Sequence, residues 1–597
     1  MSASGAGSSG FGGPGSGAAG SDAPGASDAP GTPRTTVPGT TAPGEPRHFE
    51  VAIVGGGPVG MLLAAELGLH GVRTVVLERN PATVDQPKAG TLHARTVQSL
   101  LRRGYLPAPR DGRPYARATA PFHFAGLPGL VISAPASEGP PVVGRSQADL
   151  ERAFERRARE LGAEVLRGHE VTALEQDDRR VLLTARDLHG QPVRVSALHA
   201  VGADGARGVV RTLTGIPSDE TPPTLAALLG SVRLGDPGGT PPGWRLTDRG
   251  WTVINVDPYG HSRVITFDFT GPHEDRGAPL GLEELQATAG RIAGRAIPMT
   301  DLVFASRFSD YSRLVRTYRS GRVFLAGDAA HVHFPVGGQG LNLGLQDALN
   351  LGWKLALTLR GFAGDRLLDT YHEERHPAGA RVVENTRAQL ALMRPGAETA
   401  PLRALFSELL GLEEVRSHLG DMISAQETSY GMPGEPSGQG RFLPNVPLTV
   451  GGRATSVAEE LHAARPVLLI FGANGSGTGG LAGEAAPWAA AVDVVHATSS
   501  VRMPWDAVLL RPDGYLAWTP TGPVPEPGGL RAALTHLFGE PPAARAAAGG
   551  RSERDVQGVH GTQGGRAVQA VRSAGAQGAQ SPTQSPTQRP TQNPQRP

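Results

Sequence analysis

The 597-residue chain has no cysteine. That excludes disulfides, thiol nucleophiles, thiolate zinc sites and CxxC redox pairs. Lysine is almost as scarce, occurring only at Lys88 and Lys354, so nearly every cation is an arginine. In a chain this rich in Gly, Ala and Pro, the bias reads as a property of the coding sequence and not of function. An excess of either charge is lacking too: 57 basic residues meet 56 acidic ones. Nothing in that balance suggests a nucleic-acid or strongly anionic partner. No run reaches the ~18 continuous apolar residues of a membrane helix. The N-terminus has neither the charged nor the apolar region of a secretory signal. These absences fit a cytoplasmic protein, expected as monomer or homodimer.

What is present allows about three domains at roughly 100–200 residues each, and 39% hydrophobic residues can supply a real core. Residues 1–47 are mostly Gly, Ser, Ala, Pro and Thr, and the tail from about 546 ends in SPTQSPTQRPTQNPQRP. Neither buries enough apolar surface to offset ordering, so both are expected to be disordered. Between them the chain reads as mixed α/β. HFEVAIVGG is a buried strand, Pro58 to His70 a helix, and RTVVLE the next strand: a βαβ opening. QADLERAFERRARELGA is amphipathic, with Leu150, Phe154 or Ala153, Ala158 and Leu161 on one face. Segments near 171–201 alternate as strands. Residues 222–305 alternate more strongly and predict a mainly antiparallel sheet that covers a substrate. The strand VFLAG leads through glycines to a helix, Leu341 to Leu359. A Pro/Gly/Ser-rich linker lies near 432–448, before a small α/β module.

Gly55-Gly56-Gly57-Pro58-Val59-Gly60 fits GxGxxG between a strand and a helix, the context that motif needs. Gly55 permits the tight turn, Gly57 lets pyrophosphate approach the backbone, and Gly60 allows close packing. The helix N-terminus adds free N–H groups and a positive dipole end. Glu78, 23 residues after Gly55, ends the second strand and can accept hydrogen bonds from a ribose diol. It would repel a 2′-phosphate, so the ADP-ribose of FAD or NAD fits better than NADP. A second match at Gly475, Gly477 and Gly480, with Asp493 beyond it, has a weak following helix (LAGEAAPWAA). It reads as a plain glycine-dense loop.

Three separated motifs together resemble a known family: GGGPVG with LER at 77–79, VGADGARGVVR at 201–211, and FLAGDAAHVHFPVGGQGLNLGLQDALNLGWKLA at 324–356. The family is that of the single-component FAD-dependent aromatic hydroxylases, with the para-hydroxybenzoate hydroxylase fold. The pattern is closest to the aromatic polyketide hydroxylases and rifampicin monooxygenases, over residues 48–545. The resemblance implies an α/β fold in which a Rossmann-like FAD-binding domain interleaves with a mainly antiparallel substrate domain. FAD binding is expected in two parts, 48–221 (with an excursion near 106–143) and 306–395, around a substrate sheet at 222–305. A helical linker (396–440) and a thioredoxin-like domain (441–545, with VLLRPDGYLAW its clearest piece) follow. Without cysteine that last domain does no thiol chemistry, and packing or oligomer stabilisation is its expected role.

The resemblance also implies a cofactor set. Gly55, Gly57, Pro58, Gly60, Glu78 and Arg79 take the adenosine and pyrophosphate side. Asp204 and Gly205 resemble a DG pair that contacts pyrophosphate and is tied to NAD(P)H use; capping a turn is an equal role for Asp204. Asp328 can accept from the ribityl hydroxyls or cap a helix. Pro335, Gly337, Gly338 and Gly340 keep side chains off the flat isoalloxazine, and the N–H groups of Leu341 and Asn342 can stabilise negative charge on reduced flavin. Arg145 and Gln147 are placed beside the cofactor, with a surface helix start as the alternative. Lys88 stands where relatives commonly carry an arginine, which keeps the charge but loses the planar fork. Arg95 is a further candidate. His331 and His333 lack acidic or thiolate partners nearby, so they read as packing or hydrogen-bonding groups, with no metal expected.

The chemistry implied is NAD(P)H reduction of FAD, addition of dioxygen at flavin C4a, and transfer of OH to an electron-rich aromatic ring. NADPH or NADH visits transiently, since no convincing second dinucleotide unit is present. A base that makes phenol into phenolate would help, and no residue is identified for it. Other readings are antibiotic inactivation, Baeyer–Villiger-type insertion, reduction without oxygen transfer, and a flavin-binding protein that sequesters a ligand.

Overall fold

Val51, Ala52, Ile53 and Val54 are all buried, because the strand Arg47–Val54 lies inside a sheet covered on both faces. The computed structural model describes residues 45–86, 89–106, 118–431, 438–471, 480–520 and 528–541. Lys88, Gly475, Gly477 and nearly all of both expected tails lie outside them.

The first strand pairs in parallel with Thr74–Glu78 on one side and Pro192–Gly202 on the other. Val323–Leu325 and Glu164–Arg167 extend the parallel set outward. Val54 stands opposite both Leu77 and Gly202, and Gly202 opposite Leu325. All three motifs therefore leave the sheet at the carboxyl ends of its strands, where open α/β sheets bind ligands. Glu170–Gln176 and Val181–Arg186 add an antiparallel meander, as the alternation predicted.

Helix Pro58–Gly68 ends two residues short of the expectation. Helix Gln147–Glu160 starts at an N-cap, Ser146, whose side chain accepts from Asp149 N, and it buries Leu150, Phe154 and Ala158. Helix Gln339–Leu359 begins two residues before the expected Leu341.

A five-stranded antiparallel sheet holds Gly243–Thr247, Gly250–Asn255, Ser262–Asp268, Ala226–Leu234 and Met299–Ser309, in that order. Side chains alternate between its faces. Leu228, Val232 and Val264 pack under helix Leu282–Ala293. Ala227, Trp251, Val253 and Phe267 turn the other way, toward the hairpin Thr119–Phe124/Leu127–Ser133 and Phe334. Helices Arg366–Met393, Ala400–Leu409 and Glu413–Ile423 then lead to a four-stranded mixed sheet. Its order is Asp493–Ala497, Val467–Phe471, Ala507–Leu510, Leu516–Trp518, with one parallel and two antiparallel pairs. Asp493, the acidic residue of the second glycine match, is held by Arg465 at 2.9 Å.

Candidate functional site

Gly55 adopts φ +106°, and a Cβ there would lie 2.3 Å from Ala203 O. That contact presses the first motif against the second. A Cβ on Gly60 would meet Gly55 O at 2.0 Å, whereas nothing lies within 4 Å of the Cβ position on Gly57. Gly57 is thus the one glycine of the fingerprint whose open side leaves room for a ligand against the backbone. Pro58 opens the helix at N1, where its missing N–H costs nothing.

Glu78 is buried, and its carboxylate accepts from Gly56 N at 2.6 Å and from Asn80 N and Nδ2 at 2.8 and 2.7 Å. It builds the turn as well as facing the cleft beside it. That cleft is lined by Gly55, Glu78, Arg79, His169, Asp204 and Arg207 among others. Arg79 is exposed at its edge.

Asp204 Oδ2 accepts from Val210 N at 3.0 Å, so the turn-capping role is present. Its Oδ1 is buried without a partner among the described residues. Burial raises its pKa against the Val210 N–H, which lowers it. Gly205 has φ +82°, a value only glycine adopts readily.

The third segment turns back on the other two. Arg313, which the sequence reading missed, donates through one nitrogen to Ala206 O at 3.0 Å and Asp328 O at 3.2 Å. It staples the second motif to the third. Asp328 is exposed amid buried neighbours. The short 3₁₀ helix Gly327–Ala329 has Ala326 as its N-cap and no side-chain cap, so the capping role foreseen for Asp328 is not found. Its carboxylate has no hydrogen-bond partner among the described residues. Gly337 and Gly338 take φ +76° and +65°, and a Cβ on Gly340 would crowd His333 Nε2 at 3.1 Å. With Gly338 as N-cap of the long helix, the helical pattern leaves the N–H of Leu341 free and engages that of Asn342. Asn342 contributes through its side chain, accepting from His93 N and donating to Thr91 O and Gly338 O at 2.8–3.0 Å. His331 bonds to the Asp347 carboxylate at 2.7 Å and His333 to Phe334 O at 2.8 Å.

Arg145 and Gln147 donate backbone N–H groups to Gly90 O and Ala89 O, both at 3.0 Å, which pins the helix start to the segment after Glu78. Their side chains make no hydrogen bond among the described residues. Arg95 is placed differently. Its guanidinium donates to Gln98, Ala425 O and Gln426 O and stacks 3.7 Å from the Phe442 ring. It clamps the C-terminal part of the chain, and it is set aside as a cofactor ligand.

Beyond Phe334 lies an aromatic wall. Phe334 meets Phe267 at 5.3 Å and Phe308 at 6.3 Å, and Trp244 stacks on Phe267 at 5.8 Å. His93 and His123 flank Phe122 there. Burial pushes both imidazoles down to about 4, so they are neutral near pH 7. His93 Nδ1 lies 3.0 Å from the carbonyl of Ile423, which can only accept, so Nδ1 carries the proton.

Open backbone at Gly57, an orphaned Asp204 oxygen and a free Asp328 carboxylate at one sheet edge fit a long dinucleotide. A family model described as FAD binding domain matches residues 48–386, and one described as aromatic-ring hydroxylase, C-terminal, matches 437–541. The chain belongs to the FAD-dependent aromatic-ring hydroxylases. It is a flavoprotein monooxygenase of mixed α/β fold. Among hydroxylase-family relatives, it is 41% identical over 511 residues to the 12-dehydrotetracycline 5-monooxygenase/anhydrotetracycline 6-monooxygenase of Streptomyces rimosus subsp. rimosus, covering 83% of this chain and 99% of that one. It is equally identical, 41% over 499 residues, to a dialkyldecalin synthase of Streptomyces rugosporus, with the same coverage. Among solved structures, the OxyS anhydrotetracycline hydroxylase of Streptomyces rimosus superposes with a TM-score of 0.74 at 38% identity, covering 83% of this chain and all of that one.

Proposed function

We propose that this monooxygenase hydroxylates a polycyclic phenol of the aromatic polyketide type. The observation that carries the reading is the contact of Phe334, within the flavin segment, with Phe267 and Phe308 of the antiparallel sheet. An apolar aromatic wall beside the flavin loop suits a flat fused ring system, which gains by offset or edge-on packing and excludes water.

FAD, reduced by NAD(P)H as is general for the family, supplies the oxygen-activating chemistry when bound. The chain's own residues bind and orient. Gly57 and the first turn of helix Pro58–Gly68 would take the pyrophosphate, with Glu78 and Arg79 at the adenosine side. Asp328 would accept from the ribityl hydroxyls, and the N–H of Leu341 would favour negative charge at the pyrimidine edge. The neutral His93 can accept a hydrogen bond from a phenol through Nε2, whereas His123, whose Nδ1 faces the Gly126 N–H at 3.4 Å, would donate through Nε2; neither is a strong base.

The test is a polycyclic phenol screen of the FAD-loaded protein, measuring NAD(P)H oxidation with and without ligand. Phenol-stimulated oxidation with a product of greater mass supports the reading. A second reading is favoured by the dialkyldecalin synthase relative at equal identity: ring formation on a bound substrate without oxygen transfer. In that case product forms with no ligand-stimulated NAD(P)H loss.

A further inference from the structure

The carboxylate of Asp347, on the long helix Gln339–Leu359, is fully buried. Its Oδ2 accepts from Gly327 N at 3.0 Å and faces His331 Nε2 at 2.7 Å; its Oδ1 accepts from Arg375 Nε at 2.8 Å. Gly327 directly precedes Asp328, and a Cβ on Gly344 would lie 3.1 Å from Gly327 Cα, so helix and turn are in close contact. Arg375 in turn donates to Leu343 O and to the Tyr430 hydroxyl at 3.1 and 3.0 Å. The Tyr430 ring lies 4.2 Å from Tyr515 and under the Arg511 guanidinium at 4.7 Å. Arg511 is paired with Glu374 and Asp513 at 2.7 Å. Hydrogen bonds from Gly327 to Tyr430, and ring contacts from Tyr430 to Tyr515 and Arg511, thus link the C-terminal sheet to the turn that presents Asp328.

We propose that Asp347 is a positioning residue for the flavin, held in place through Arg375 and Tyr430 by the C-terminal sheet. That sheet then has a role in cofactor binding beyond packing. The physical ground is that a buried carboxylate with three fixed partners has one arrangement, and losing a partner leaves an uncompensated charge or donor next to the site. Burial works to raise the Asp347 pKa, and Arg375 and His331 overcome it, so the group stays ionised.

The proposal rests on Asp328 facing the cofactor, and the test separates the two. FAD is titrated into apoprotein by flavin fluorescence, the midpoint potential of bound flavin is measured, and apoprotein melting is followed, for Asp328→Asn, Asp347→Asn, Tyr430→Phe and the Asp347→Asn/Tyr430→Phe pair. Asp328→Asn and Asp347→Asn are each expected to weaken FAD about tenfold, and Asp347→Asn also to shift the potential. Tyr430→Phe, which removes one hydroxyl, is expected to weaken FAD about threefold alone and to add less than that on top of Asp347→Asn. Should Asp347→Asn fail to fold, Tyr430→Phe decides by itself. Wild-type FAD affinity and potential in Tyr430→Phe or Asp347→Asn, with Asp328→Asn impaired, overturn the positioning role. No effect of Asp328→Asn overturns the site reading beneath it.

Discussion

The N–H of Gly56 donates to the Glu78 carboxylate at 2.6 Å, which ties the glycine turn to the end of the neighbouring strand. Asn80 occupies the other oxygen. Glu78→Ala leaves these donors without their acceptor, at a cost of about 1–3 kcal/mol for a buried group. We expect both apoprotein melting temperature and FAD affinity to fall. A variant that melts and binds FAD like wild type would remove Glu78 from turn and site alike.

Gly57 and Gly55 should separate binding from folding. A Cβ on Gly57 meets nothing within 4 Å, so Gly57→Ala is expected to leave apoprotein stability unchanged while weakening FAD at least tenfold, through loss of close pyrophosphate approach. Gly55→Ala drives a Cβ into Ala203 O at φ +106° and should destabilise the protein itself by about 2 kcal/mol or more. Equal effects of the two changes on melting would contradict the assignment.

Asp328 carries a carboxylate with no partner among the described residues, so removing it breaks no internal bond. Asp328→Ala should lower FAD affinity about 10–100-fold, the loss of one charge-assisted hydrogen bond, with no loss of apoprotein stability. A fall in melting temperature without a change in FAD affinity would make the residue structural.

How much of this was legible in the sequence follows from range. The glycine turn, the helix behind it and the alternating sheet are local patterns, and each formed within a few residues of its expected bounds. The convergence of residues near 55, 204 and 328 was legible only through the family resemblance, since parallel pairing across more than 100 residues leaves no local signal. Arg95 was misassigned because its partners, Ala425, Gln426 and Phe442, are over 300 residues away. Arg313 and Arg375 have nearer partners, 15 to 107 residues away, but these too are brought to them only by the fold. A trace of the buried network was present: Asp347, Asn350 and Lys354 recur at helical spacing among leucines, where solvent-facing polar residues are not expected.

The Glu374 network predicts an acid-sensitive fold. Burial acts to raise its pKa, but Arg511 and Lys354 hold it down to about 2, below the ordinary 4.5. A depressed carboxylate stabilises the protein above its unfolded pKa and loses that contribution as pH falls through the folded one. The unfolding free energy from denaturant titration should therefore drop between about pH 4.5 and pH 2, by an amount on the order of 3 kcal/mol from this group. Glu374→Gln should flatten that part of the profile. An equal slope in the variant would assign acid sensitivity elsewhere.

The central claim is tested most directly with isotopic dioxygen. The FAD-loaded protein is given NAD(P)H, a polycyclic phenol and ¹⁸O₂, and product mass is read together with oxygen uptake. The account predicts one ¹⁸O atom in the product for each dioxygen consumed in coupled turnover. Product without ¹⁸O, formed while oxygen and NAD(P)H remain unspent, would contradict it.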